Sequence, residues 1–321
     1  MPFRPEEVLF SPTTDCNLRC AHCAVPRSKN ILPEKYAKRF LRECAAIGVR
    51  RVGFTGGEPF LTPRFLAALV KTAVKEGLLF GRIMTNAVWW PDQRSLKKVL
   101  TALYKAGYDG DICVSVDAFH AQDMRKVARF IRCADSIWKR PDMVSIACVS
   151  GARDKESAGM IRSLARLVDG TVTKSPLGKP YIKSRGLFIK IMDIDLAPTG
   201  KASAVKDPWG GRWFKDDNCK GPGNAFLVMP DGSVKPCCGY ASDIDALTVG
   251  NIRSDSAKDV MDNLRANRFV RTVFDSGLGV IRKRLERLEV RFPAKTSSHC
   301  FFCEYLLTNI PKGVLEKCLD K

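Results

Sequence analysis

A chain of 321 residues with 45% hydrophobic and 27% charged residues can bury a large core, and its length favours one large domain with a smaller one appended. No apolar run is long enough to span a bilayer, and Met1-Pro2-Phe3-Arg4-Pro5-Glu6-Glu7 lacks the basic start and apolar stretch of a signal peptide; a membrane is therefore excluded and a cytoplasmic protein expected. The formal charge of +19 favours acidic partners, yet the basic residues are scattered and dense only over 282–291, where Glu286 and Glu289 interleave, which disfavours nucleic acid.

From residue 8 to about 193, short apolar runs alternate with longer amphipathic ones, as parallel strand and helix units do. Strands are predicted over 8–11, 51–55, 82–85, 112–116, 143–148 and 187–191. Helices lie between them, for example over 34–47, stopped by Gly48, and 64–76, stopped by Gly77. Six such units make an α/β fold, a partial (β/α)6 TIM-like barrel with its site where strands end and loops begin. After residue 200 the style changes. Residues 207–211 (Asp-Pro-Trp-Gly-Gly) read as a linker, and Pro230-Asp231-Gly232 is a turn between strands over 225–229 and 233–236. Helical sequence covers 255–291, and a short helix follows Cys303. The expected division is a barrel over 1–200 and a small α+β domain over 201–321.

Thirteen cysteines without a secretion signal point to metal or redox chemistry rather than disulfides. Cys16, Cys20 and Cys23 follow the first predicted strand, at spacings that bring three thiolates to one cubane. Three ligands leave one iron of a four-iron cluster open, whereas electron-transfer clusters are closed by four cysteines. Zinc is the alternative, with His22 as a fourth ligand. A second group, Cys219 and Cys237 flanking the hairpin with Cys300 and Cys303 later, supplies four thiolates and closes a cluster; zinc is again the alternative. Cys238 adjoins a ligand, and on an extended segment its side chain points away from that ligand's direction, towards a cavity or into packing. The cysteines at 44, 113, 133, 148 and 318 read as small buried residues.

The Cys-x3-Cys-x2-Cys run, with His22 where an aromatic residue precedes the third cysteine, resembles the radical S-adenosylmethionine (SAM) superfamily. Gly53-Phe54-Thr55-Gly56-Gly57-Glu58-Pro59, ending the second predicted strand, matches the element that holds the SAM amino group there. The resemblance implies a four-iron four-sulfur (4Fe-4S) cluster on Cys16, Cys20 and Cys23, SAM chelating the open iron, and reductive cleavage to methionine and a 5'-deoxyadenosyl radical. It also implies cofactor contacts from His22, Gly56, Gly57, Glu58 and Pro59, and from Asn86, Ser115 and Asp117 at later strand ends. His120 is a further candidate.

The late cysteines, with Gly250-Asn251-Ile252 between them, resemble a SPASM or twitch domain with one auxiliary 4Fe-4S cluster on Cys219, Cys237, Cys300 and Cys303. Thr-Asn-Ala-Val-Trp at 85–89, Val-Asp-Ala-Phe-His at 116–120 and the pair Cys237-Cys238 look like radical SAM peptide epimerases, which act on ribosomally made precursor peptides. That likeness implies abstraction of an α-hydrogen, L-to-D inversion with Cys238 returning the hydrogen, a precursor peptide as partner, and a reductant such as flavodoxin or ferredoxin; the cationic charge of this chain suits an acidic precursor. Only a few residues precede the first predicted strand, so the peptide is expected to bind the barrel or the C-terminal domain directly. A family acid after Cys219 is replaced here by Asn224 or Ala225. The rivals are a twitch-type dehydrogenase of a sugar or cyclitol, a peptide-crosslinking enzyme and a non-enzymatic iron-sulfur nucleic-acid-binding factor.

Overall fold

The computed structural model describes residues 3–151, 153–214, 219, 221–237, 239 and 244–320. Among these residues the scaffold is one open sheet of eleven strands in the order β11-β10-β9-β1-β2-β3-β4-β5-β8-β7-β6. The six expected strands are β1 (Glu7–Phe10), β2 (Arg51–Phe54), β3 (Leu79–Thr85), β4 (Asp111–Ser115), β5 (Val144–Ser150) and β8 (Leu187–Asp195). They pair in parallel, neighbour to neighbour. Helices α1 (Glu34–Ala46), α2 (Pro63–Lys75), α3 (Gln93–Lys105), α4 (Met124–Trp138) and α5 (Asp154–Leu167) follow the first five. The result is the open, partial (β/α)6 TIM-like barrel that the alternation predicts. Parallel strands covered by helices read as continuous apolar runs, and all seven residues of β5 except Ser150 are buried.

Between α5 and β8 the chain forms an antiparallel hairpin, β6 (Gly170–Lys174) and β7 (Pro180–Ser184), which extends the sheet edge. No strand is predicted there because its Thr- and Lys-rich residues are, Ile182 apart, exposed or half-exposed and show no apolar alternation.

At the other edge, β9 (Ala225–Val228) pairs in parallel with β1, from Glu7 against Ala225 to Phe10 against Val228. Its hairpin partner β10 (Ser233–Lys235) and the short β11 (Gly250–Asn251) complete the sheet. Residues after 200 therefore share the barrel's sheet. The predicted helical stretch is three helices, α6 (Ala257–Ala266), α7 (Arg268–Asp275) and α8 (Leu278–Arg287). Helix α6 opens on a capping box of Ser256 and Asp259 and is tied to α1, whose Glu43 carboxylate accepts from the Ala257 amide at 3.0 Å.

Two segments depart from expectation. The stretch that reads as a linker is pinned: Gly210 bridges to Lys295, and the Trp209 ring packs edge-on to Phe301 and Tyr305 at about 5 Å. The C-terminal helix does not follow Cys303. As α9 (His299–Asn309) it starts four residues earlier, because Ser298 caps it by accepting from the Phe301 amide, and both Cys300 and Cys303 lie in its first turns. A short helix, α10 (Lys312–Glu316), follows it. Among the described residues no helix is long and apolar enough to cross a membrane.

Candidate active site

The loop after β1 carries the first cysteine group. Asp15 sets its start, accepting from the Cys16 amide at 2.9 Å, and Arg27 braces it by donating to the Cys16 carbonyl at 2.9 Å. The three half-buried thiols lie within electrostatic reach of one another. Burial, followed by the charges of Cys23, Cys16 and Asp117, pushes the Cys20 thiol up to about 12. Three thiolates held this way need a cationic centre between them, which is the donor set of an iron-sulfur cluster or another thiophilic metal. His22, likewise half-buried, is held neutral: burial first, then His120, lowers its ring to about 4.

Gly56 and Gly57, at the end of β2, dock on this loop. Gly56 has φ of 123°, and a Cβ there would meet the Ser11 hydroxyl and the Thr13 carbonyl at 2.5 Å. A Cβ on Gly57 would sit 2.1 Å from the Asp15 carbonyl. Only glycine permits this approach, which the Gly57 and Glu58 amides seal by donating to Thr13 and Asp15 carbonyls at 2.9 and 2.8 Å.

Glu58 and Pro59 turn away from the cavity. Glu58 is fully buried, and its carboxylate accepts from the Thr85 hydroxyl at 2.9 Å and from the Asn86 and Phe60 amides at 2.8 and 3.1 Å. Burial outweighs these bonds and raises its carboxyl to about 7. Asn86, at the end of β3, places Nδ2 2.8 Å from Asn17 Oδ1 and 3.6 Å from Cys16 Sγ, while its Oδ1 accepts from the Val88 amide at 2.9 Å.

Asp117, beyond β4, is likewise used inside the protein. Oδ1 accepts from the Phe119 and His120 amides and lies 2.8 Å from His120 Nδ1; Oδ2 accepts from the Val149 amide. Burial alone would raise this carboxyl, but the His120 hydrogen bond and charge, with His22 and Val149, outweigh it and leave it low. The His22 ring lies 4.8 Å from that of His120 and 5.0 Å from Phe119. His22 Nδ1 is buried without a hydrogen-bond partner among the described residues.

The three thiols, His22, Gly56, Gly57, Asn86, Ser115, Asp117 and His120 all line one cavity of about 210 Å3 at the strand ends. Sequence pattern does not single out two residues that build it. Gln122 ties Asn86 to Ser115, donating to both carbonyls, and Arg27 lines this cavity and a second one. That second cavity lies between the cysteine loop and the β9–β10 hairpin, and includes Thr14, Lys235 and Asp245.

The later cysteines also converge. Burial, then the charges of Cys237, Cys300 and Cys219, raises the Cys303 thiol. A side chain at Gly239 would sit 3.3 Å from Cys300 Sγ and 3.6 Å from Cys237 Sγ, and one at Gly221 would sit 3.5 Å from Cys219 Sγ. Four thiols from a hairpin and a helix start thus lie in one neighbourhood, a set of donors of the kind that suits a thiophilic metal centre. Cys238 lies outside the described residues.

Residues 10–140 match the family model described as the radical SAM superfamily, and residues 219–286 match that of SPASM, an iron-sulfur cluster-binding domain. The chain belongs to the radical SAM superfamily. With the second domain it is a radical SAM enzyme of the SPASM type, equipped for 4Fe-4S clusters and SAM. It is 22% identical over 311 residues to the putative peptide biosynthesis protein YydG of Bacillus subtilis (strain 168), covering 92% of this chain and 90% of that one. It is also 22% identical over 302 residues to the GTP 3',8-cyclase of Heliobacterium modesticaldum (strain ATCC 51547 / Ice1), covering 82% and 88%. The fold resembles that of native anSMEcpe with bound AdoMet and Cp18Cys peptide, at a TM-score of 0.55 and 16% identity over 87% of this chain and 86% of that one.

Proposed function

We propose that this enzyme epimerises a residue of a ribosomally made peptide, with a 4Fe-4S cluster on Cys16, Cys20 and Cys23 and one auxiliary cluster on Cys219, Cys237, Cys300 and Cys303. The observation that supports the reading is the segment 237–239: Cys237 is one of the auxiliary thiols and a Cβ at Gly239 would lie 3.3 Å from Cys300 Sγ, so both neighbours of Cys238 in the chain adjoin the auxiliary cysteines. Similarity along nearly the whole chain to a protein named for peptide biosynthesis supports a peptide substrate. The two cavities sharing Thr14 and Arg27 offer an extended chain a path between the cysteine loop and the hairpin before Cys237. The net charge of +19 suits an acidic peptide.

The cluster and SAM, when bound, supply abstraction of a hydrogen atom. This chain's residues shape the site: Gly56 and Gly57 bring backbone to the cavity wall, Asp117 orients His120, and neutral His22 presents a ring without charge. Cys238 gives its thiol hydrogen atom to the opposite face of the substrate α-carbon radical, so the carbon-hydrogen bond re-forms inverted. The sulfur radical left behind is restored by one electron and one proton, the electron coming from an external reductant of the flavodoxin or ferredoxin class.

The test needs a precursor peptide as substrate, to be sought as a short open reading frame among the genes neighbouring this one. In deuterated buffer, wild-type product should carry one deuteron at a D-residue, because a thiol exchanges its proton before donating it. Cys238→Ala should retain both clusters and form 5'-deoxyadenosine without a matching amount of D-residue. Deuterated D-peptide from Cys238→Ala at the wild-type rate would refute the donor. An oxidised product without solvent hydrogen would replace epimerisation by dehydrogenation.

A further inference from the structure

Asn86 is a strand-end amide in the cavity, yet its hydrogen-bonding groups face the protein. The orientation of its amide follows from its partners. Oδ1 accepts from the Val88 amide at 2.9 Å and Nδ2 donates to Asn17 Oδ1 at 2.8 Å; reversing the group would set oxygen against oxygen and N–H against N–H. The second Nδ2 hydrogen is then directed to Cys16 Sγ, 3.6 Å away. The backbone is clamped on both sides, its amide by Glu58 at 2.8 Å and its carbonyl by Gln122 at 2.6 Å. Asn86 is only 6% exposed, so water does not compete freely for this donor.

Cys16 Sγ also accepts from the Leu18 amide at 3.4 Å. We infer that Asn86 tunes the reduction potential of the cluster held by Cys16, stabilising the reduced state through its hydrogen bond to the Cys16 sulfur rather than contacting SAM. Reduction adds negative charge to the iron-sulfur core and its ligand sulfurs, so an N–H donor aimed at a sulfur favours the reduced form and raises the potential. Glu58 is a positioning residue here: it holds the Asn86 backbone and, through Thr85, the end of β3. The inference rests on the proposed ligand set of Cys16, Cys20 and Cys23.

The test is a potentiometric titration of anaerobically reconstituted full-length protein followed by electron paramagnetic resonance. The first cluster is identified as the signal that changes when SAM is added, and the auxiliary cluster serves as an internal reference. Asn86→Leu keeps the approximate volume and removes both donors; its first-cluster midpoint should move to more negative potential while the auxiliary midpoint stays. Asn86→Asp keeps the shape and adds negative charge beside the sulfur, so its shift should have the same sign and be larger, and it serves alone where the Leu variant fails to assemble. A first-cluster midpoint equal to or above that of wild type in a variant with intact clusters overturns the inference. Failure of the ligand assignment is distinguishable, because then the wild type itself would give no SAM-responsive signal.

Discussion

Replacing Glu58 by alanine should destabilise the protein, and by an amount that shrinks as the pH rises. The carboxylate is the shared partner of the Asn86 and Phe60 amides and the Thr85 hydroxyl, all in a fully buried setting. Each buried donor left without a partner costs about 1–3 kcal/mol, so near pH 5.5 the variant should lose about 5 kcal/mol. Opposing this is the burial of the charge, which raises the Glu58 carboxyl from 4.5 to about 7. Between those values the native state holds a proton that the unfolded chain has released, so stability falls as pH rises through this window and levels off above it. At about 1.4 kcal/mol per pH unit, wild type should lose about 2 kcal/mol through this group between about pH 5.5 and 8.5. Glu58→Ala lacks that loss, so its deficit should narrow to about 3 kcal/mol. Urea unfolding of reconstituted protein under argon, at the two pH values and fixed ionic strength, measures the difference. A deficit that is constant or grows with pH would show that Glu58 is not held protonated by its burial.

Gly57→Ala should be among the most damaging small substitutions, because its Cβ would overlap the Asp15 carbonyl at 2.1 Å; a cost of about 3 kcal/mol in urea unfolding is expected. Gly77→Ala meets nothing within 4 Å and bears only the strain of φ at 66°, about 1 kcal/mol, so equal effects would contradict the docking role of Gly57. Reconstituted wild type should bind about eight irons, four per cluster, and replacing Cys16, Cys20 and Cys23 together by alanine should remove about half of them along with all 5'-deoxyadenosine formation. Cys300→Ala should lose the other half and become poorly soluble, since it unties the start of α9 from the hairpin; full iron with normal activity, or stoichiometric zinc in place of iron, would sink the ligand set.

The barrel was legible because its parallel strands are buried on both faces, which leaves runs such as Val144–Ser150 unmistakable. The β6–β7 hairpin carries no such signature for the opposite reason: at the sheet edge, Thr171 and Val172 are exposed, so no burial pattern is imposed on them. The glycine pair at 210 and 211 read as a linker because composition reports backbone freedom, while the Trp209 packing that removes it depends on rings nearly a hundred residues away. Pairing of β9 with β1 is equally remote in sequence, and no local signal announces it.

At the site, chemistry carried by close spacing was readable and chemistry carried by partners was not. Cys16, Cys20 and Cys23 come to one cavity because eight residues of loop, 16–23, hold all three, and the sequence shows this directly. Glu58, Asn86 and Asp117 look like ligand-facing groups for an equally local reason: each is a polar residue at the end of a strand. Their partners lie elsewhere, Glu58 and Asn86 being 28 positions apart and Asn86 and Cys16 70 apart. A buried polar group must be satisfied, and here the satisfaction comes from the protein. Side chains expected to face the cofactor are therefore bound up in the cavity wall, where Glu58 holds the Asn86 backbone, Asn86 reaches the Cys16 thiol and Asp117 orients His120. Removing one of them acts first on the geometry and electrostatics of what it holds, and this is why cluster potential and folding stability, rather than SAM affinity alone, are the quantities to measure.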